Sequence, residues 1–177
     1  MLKSVVREDS QLLADWLGDP DFAGSFLNVW PVSREQWEGM LSHPWDARTD
    51  GMFLILASEG GEPMGLVGYF NPFTRTDLFQ GLEIWAQVHP RFRQRRIAVT
   101  ACRLLISRLF STLPVERIQA TVTVGNDAPC HVAHLLGMQR EGICRSITLL
   151  NGRYADMYLY SILRSDWRSE AEYLQAR

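Results

Sequence analysis

The stretch Leu82–Phe110, LEIWAQVHPRFRQRRIAVTACRLLISRLF, decides the fold. Leu82–Val88 reads as an extended, half-apolar strand, ended by Pro90. A basic loop follows, carrying Arg91, Arg93, Arg95 and Arg96. From Ile97 to Phe110 the apolar residues Ile97, Ala101, Leu104, Leu105 and Leu109 fall on one helical face, the clearest helix of the chain. A strand, a polar loop and a long helix make a crossover unit, whose helix returns the chain to another strand. Downstream, Pro114 breaks the chain and Ile118–Val124 reads as a β-branched, buried strand. Gly125, Asn126 and Asp127 form a turn, Pro129 takes the first helical position, and a short helix runs to Leu136 with Gly137 as its stop. Met138–Leu150 and Arg153–Leu163 are strands joined by Asn151-Gly152, a strong hairpin signal. The tail from Ser165 reads as helical and polar. Upstream, Met52–Ala57 and Met64–Phe70 pair around Gly60-Gly61, and NPFTRTD is a loop. Leu2–Val6 is a short strand, and Leu12, Leu13, Trp16 and Leu17 have helical spacing. Ser33 with Gln36 is a capping box opening a helix through Met40 and Leu41. GDPDFAGSFLNVWP, between those helices, reads as a loop or broken helix.

The whole is an α/β chain with a mixed, mostly antiparallel sheet of about seven strands flanked by helices. Its 177 residues suit one domain, 1–177, able to bury a core without staples. A formal charge of −2 gives no reason to expect a nucleic-acid or membrane partner. No apolar run approaches a membrane span, and MLKSVVREDSQ lacks the apolar stretch of a signal peptide. Cys102, Cys130 and Cys144 form no CxxC pair and no metal spacing, so reduced cytoplasmic thiols and no bound metal are expected.

Three blocks together resemble the GNAT acetyltransferases, in particular the RimJ/RimL-type branch. Leu82–Phe110 looks like that family's fourth strand, pyrophosphate loop and long helix. VERIQATVTVGNDAPCHVAHLLGMQREGICR, from Val115, looks like its fifth strand, Asn-led helix and sixth strand. NGRYADMYLYSILRSDW, from Asn151, looks like its closing hairpin. The resemblance implies the GNAT fold and a cytoplasmic enzyme that transfers an acyl group, expected to be acetyl, from acetyl-CoA to an amine. It also implies fourth and fifth strands that splay apart around the cofactor. In similar proteins a loop of the form R/Q-x-x-G-x-G/A holds the pyrophosphate on backbone N–H groups. That pattern carries cofactor binding onto Val88, Arg93, Gln94, Arg95, Arg96, Ile97 and Ala98, with Asn126 positioning substrate or cofactor. A homodimer is common among similar proteins.

The loop departs from the pattern, because Gln94 and Arg96 stand where relatives carry glycine. Two readings follow: the arginines bind the phosphates through their side chains, or the site serves a CoA-independent reaction in small-molecule biosynthesis. A binding module without catalysis is a third. Pro129 replaces the serine of Asn-x-x-Ser, and Ala133 falls where other members place a tyrosine, so both usual acids are missing. Glu83 is the candidate base, matching a glutamate of some relatives, or an orienting carboxylate. His131 and His134 share a helix face, and His134 is the candidate proton shuttle, against exposed helical histidines. Phe22, Phe26, Trp30, Trp37 and Trp45 fall where relatives build the acceptor pocket. Phe26, Trp30, Trp37, Trp85 and Tyr154 are its candidate lining, against core and sheet packing, and favour a small molecule over a protein terminus.

Overall fold

The computed structural model describes residues 1–29, 31–43, 46–72 and 81–167. Seven strands form one sheet in the order β1-β2-β3-β4-β5-β7-β6. They are β1 (Leu2–Ser4), β2 (Asp50–Leu56), β3 (Pro63–Phe70), β4 (Gly81–Val88), β5 (Arg117–Thr123), β6 (Gln139–Leu150) and β7 (Arg153–Leu163). All neighbours are antiparallel except β4 and β5, the pair bridged by the crossover. The helices are α1 (Ser10–Leu17), α2 (Pro20–Ala23), α3 (Arg34–Leu41), α4 (Ile97–Thr112) and α5 (Asp127–Leu135).

The alternation of strand side chains splits the core in two. Phe53, Val67, Leu82, Ile84, Ile118 and Ile162 face α4 and α5. Leu54, Leu66 and Trp85 face the other way and pack with Leu13, Phe22 and Trp37 of the first three helices. The buried stripe of α4 is Ala101, Cys102, Leu105, Ile106, Leu109 and Phe110. Leu104, expected on that face, is 36% exposed. The i, i+1, i+4, i+5 stripe turns Cys102 and Ile106 onto the sheet and Leu104 off it. Ser33 and Gln36 make the expected capping box at α3.

Other expectations are corrected. The first strand ends at Ser4, as the chain turns into a short 3-10 helix at Arg7. Pro129 lies within the first turn of α5, which opens at Asp127 after the N-cap Asn126 and Gly125 at φ 91°. Its missing N–H falls where a first-turn amide has no intrahelical partner. After β7 the chain makes a 3-10 turn, Arg164–Asp166, and the rest of the expected tail helix lies outside the described residues. That turn places Arg164 under the end of α4, where its guanidinium donates to the carbonyls of Phe110, Leu113 and Val115. The C-terminal carbonyls of α4 thereby gain a cation.

Candidate active site

β4 and β5 pair over three positions, Gly81 with Arg117, Leu82 with Ile118 and Glu83 with Gln119, and then diverge. Beyond Glu83 their facing edges part, which is the expected splay. Glu83 stands at the fork and is 9% exposed. Its two oxygens are held by β5: Thr121 Oγ1 donates to Oε1 at 2.6 Å and Gln119 Nε2 to Oε2 at 3.0 Å. A carboxylate keeps a second lone pair on each oxygen, so Glu83 can still accept from a substrate. Trp85, one step along the same face, lies over Gly68 of β3, where an added Cβ would meet the indole at 2.6 Å. Only glycine leaves the indole that seat.

At the open end of the fork the loop after β4 keeps a glycine-like backbone without glycine. Gln94 and Arg96 have φ of 65° and 57°, in the left-handed region. Arg96 is the N-cap of α4 and makes no side-chain cap bond, and the first turn of α4 carries no acid. The amides of Gln94, Arg95 and Arg96 meet no acceptor among the described residues, and the first helical amides, from Ile97 and Ala98 on, have no intrahelical one. Such a cluster of N–H groups at an uncapped helix start favours an anion. Arg95 and Arg96 are exposed, and neither forms an ion pair among the described residues. Arg95 leans on the Phe92 ring at 5.8 Å.

The Arg93 guanidinium donates to the carbonyls of Val88, Asp21 and Phe22 at 3.2, 3.1 and 2.9 Å, so its donors are engaged within the protein. Gln87 Nε2 donates to the same Phe22 carbonyl at 2.8 Å, so β4 and the cofactor-side loop are tied to the end of α2. The carbonyl of Val88 is engaged by that tie. Arg91 pairs with Glu62.

Asn126, the N-cap of α5, makes no side-chain cap bond, which leaves its amide group available. Across from it, the Phe26 ring lies 4.0 Å from the space a Cβ on Gly125 would fill. The acceptor-side loop thereby reaches the start of α5. The remaining expected site residues are not brought here. Trp37 is 4% exposed and a core residue, because the amphipathic face of α3 turns it inward. Phe22 is likewise core, stacked on Trp16 at 5.0 Å. Tyr154 is 74% exposed on the hairpin, where β7 has run beyond its pairing with β5. At about 3.3 Å per residue it lies roughly 20 Å along β7 from the level of Glu83. His131 and His134 are exposed on α5, whose inner face is taken by Ala133. Trp30 and Trp45 lie outside the described residues.

Gln119 and Thr121 are the residues that sequence reasoning missed. β5 alternates Ile118, Ala120, Val122 against Gln119, Thr121, Thr123, a period-two signal that separates a polar face from a buried one. Reading β5 as uniformly buried concealed it. Tyr160 of β7 is buried on the opposite face, where the neighbouring Cys130 thiol and then burial hold its phenol above the usual range. Among the described residues no group of three His, Cys, Asp or Glu side chains gathers for a metal ion, and no helix is long and apolar enough to cross a membrane.

A parallel pair that splits at a buried carboxylate, with an uncapped helix at its open end, is the arrangement of an acetyl-transfer fold. Residues 1–139 match the acetyltransferase (GNAT) domain family, and the chain belongs to the GNAT N-acetyltransferases, a family of enzymes. It is 32% identical over 172 residues, 96% of this chain and 87% of the relative, to YdaF of Bacillus subtilis, provisionally named a ribosomal N-acetyltransferase. Its fold is shared with spermidine N-acetyltransferase from Vibrio cholerae, solved in complex with CoA and spermine. That match has a TM-score of 0.82 and 20% identity, covering 94% of this chain and 96% of that one. Ribosomal-protein-S5-alanine acetyltransferase from Vibrio fischeri matches with a TM-score of 0.79 and 18% identity, covering 94% of each chain.

Proposed function

We propose that the protein is an acyl-CoA-dependent N-acyltransferase that moves an acetyl group from acetyl-CoA to an amine of a small molecule or peptide. The observation that carries this reading is the left-handed backbone at Gln94 and Arg96. It preserves the N–H cluster of a glycine loop although both glycines are gone. Acetyl-CoA would supply the activated thioester. The amides from Gln94 to Ala98 would hold its diphosphate, and the exposed side chains of Arg95 and Arg96 add charge beside them. The Asn126 amide would orient the arm lying between β4 and β5. Glu83, at the fork, accepts the proton that the attacking amine sheds. His134, exposed on α5, stands outside this reading.

Phe26 and Trp85 form the acceptor side, and their apolar surface supports a small-molecule amine ahead of a protein terminus. A cytoplasmic setting belongs to the same reading, supported by three cysteines that are all free. So does a homodimer, supported by Ile143, Ile147 and Leu149, which stand exposed on the edge strand β6.

Calorimetric titration with acetyl-CoA and with CoA tests the reading. Binding in the micromolar range supports it. No binding up to millimolar ligand overturns it and turns the search to CoA-independent chemistry at the same fork. Given binding, Glu83→Gln is expected to lower kcat on the order of 10²-fold with the acetyl-CoA Kd unchanged. A panel of polyamines against peptides with N-terminal alanine then sorts the acceptor class.

A further inference from the structure

Glu83 is one end of a chain of side chains that runs from β4 through β5 to β6 and β7. Arg117 Nε donates to Gln119 Oε1 at 3.3 Å, and Gln119 Nε2 donates to Glu83 Oε2 at 3.0 Å. At the other end both terminal nitrogens of Arg117 donate to the two Glu141 oxygens, a forked pair at 2.6 and 2.5 Å. Ser161 Oγ donates to Glu141 Oε1 at 2.6 Å. Gln119 and Ser161 are 7% and 4% exposed, so the Glu83 end of the chain is shut away from water while the Arg117–Glu141 end is partly exposed.

The polarity of this chain is fixed by chemistry. A guanidinium has donors and no acceptor, so Arg117 can meet only the oxygen of the Gln119 amide. Oxygen and nitrogen lie on opposite sides of the planar amide, and fixing one fixes the other. Without Arg117 the amide is anchored at Glu83 alone, and its oxygen side is free to swing, so the plane of the amide and the carboxylate it meets are no longer fixed. With Arg117 in place, held by Glu141, which Ser161 holds in turn, the amide nitrogen faces Glu83. It gives Oε2 a charge-assisted bond while Thr121 holds Oε1.

We propose that Arg117 is a positioning residue of this site, acting through Gln119 to fix the rotamer and the accepting face of the Glu83 carboxylate at the fork. Its effect on rate rests on the acyl-transfer reading above, whereas its effect on Gln119 and Glu83 does not. Among the described residues, the charged groups hydrogen-bonded into this chain with Glu83 are Arg117 of β5 and Glu141 of β6, and Asp50 of β2 stands level with Glu83 beyond Phe70. β3 sets Phe70 and Gly68 on the same face, and β7 sets Ser161 and Leu159 there.

The test combines kinetics with a spectroscopic signature. Arg117→Met, Gln119→Leu and the double variant are measured with acetyl-CoA and the best acceptor amine. Each single change is expected to lower kcat roughly tenfold at unchanged KM for acetyl-CoA. The double variant is expected to lose no more than either single one, because both break the same link. Arg117→Lys, which keeps a donor, is expected to restore much of the rate. Multiplying losses in the double variant, or full rate in Arg117→Met, would overturn the proposal. Independently of activity, the Gln119 side-chain amide is followed by nitrogen-15 NMR. In folded Arg117→Met, with Glu141→Gln added so that no lone carboxylate remains, its resonance is expected to move and its hydrogen exchange to quicken at least about tenfold. An unchanged resonance and exchange rate would sink the proposal. A changed signal in a protein that transfers no acetyl group would uphold the positioning and discard the acyl-transfer reading instead.

Discussion

Gln94 and Arg96 hold a conformation that suits glycine and costs an L-residue on the order of 1–2 kcal/mol each. The surrounding structure imposes it: Arg93 is tied to α2 on one side and α4 begins on the other. Gln94→Gly and Arg96→Gly are therefore expected to stabilise the protein, each by a few tenths to about 1 kcal/mol once the added freedom of the unfolded chain is subtracted. Chemical denaturation measures this, and unchanged or lower stability in both variants would refute the strain. Acetyl-CoA affinity is expected to survive Gln94→Gly and to fall modestly in Arg96→Gly, which removes a free charge. At this scale the sequence was a partial guide. Replacement of the glycines was plain at positions 94 and 96, yet only the backbone angles show that their conformation was kept. Glu83 was found through resemblance, whereas Gln119 and Thr121 were legible in the alternation of β5 alone. Trp37 could not be assigned from sequence. An aromatic on an amphipathic helix is core or pocket according to which sheet residues it meets, and those lie far away in the chain.

The loop after β4 behaves as part of α2. Arg93 and Gln87 converge on the Phe22 carbonyl, joining the strand that carries Glu83 to the helix of the acceptor side. Arg93→Ala removes the three guanidinium bonds. The expected loss is about 1–3 kcal/mol, with faster hydrogen exchange around both α2 and the start of α4. Exchange that quickens only at the loop would show that the tie carries no coupling. Element boundaries were readable because Gly, Pro and Asn-Gly punctuate this chain clearly. Long-range ties were not, since an arginine's reach does not reveal which carbonyl it finds. The Arg117–Glu141 pair between β5 and β6 is a second example. Arg117 first and Ser161 next hold the Glu141 carboxyl down at about 2. A carboxyl lowered in the folded state stabilises the fold above its ordinary titration range, and that contribution disappears as pH falls from about 4.5 towards 2. The pair is partly exposed, at 24% and 39%, so the expected contribution is roughly 1 kcal/mol. Glu141→Gln should melt below the parent at pH 6 and level with it near pH 2. An equal gap at both pH values would contradict the pair's role.

Across the molecule burial divides the chemistry of the cysteines. Burial in the α4 core pushes the Cys102 thiol up to about 12, while Cys130 and Cys144 are only half-buried. Native protein at pH 8 should thus leave Cys102 unalkylated by iodoacetamide, and denatured protein should label all three cysteines. Mass spectrometry of the labelled peptides decides it, and native modification of Cys102 would show that the α4 core opens readily.

The short pairing of β4 with β5 bears on how the sheet melts. β1–β4 and β5–β7 are two antiparallel plates, and three rungs with one helical crossover join them. That seam divides the sheet in its middle, and its open edges present backbone groups with no strand to meet. On the proposed reading the bound arm of acetyl-CoA fills the seam like a keystone. Ligand at a hundredfold excess over Kd would then add about 2.7 kcal/mol. A scan in which the plates part before the helices unwind would become a single cooperative transition.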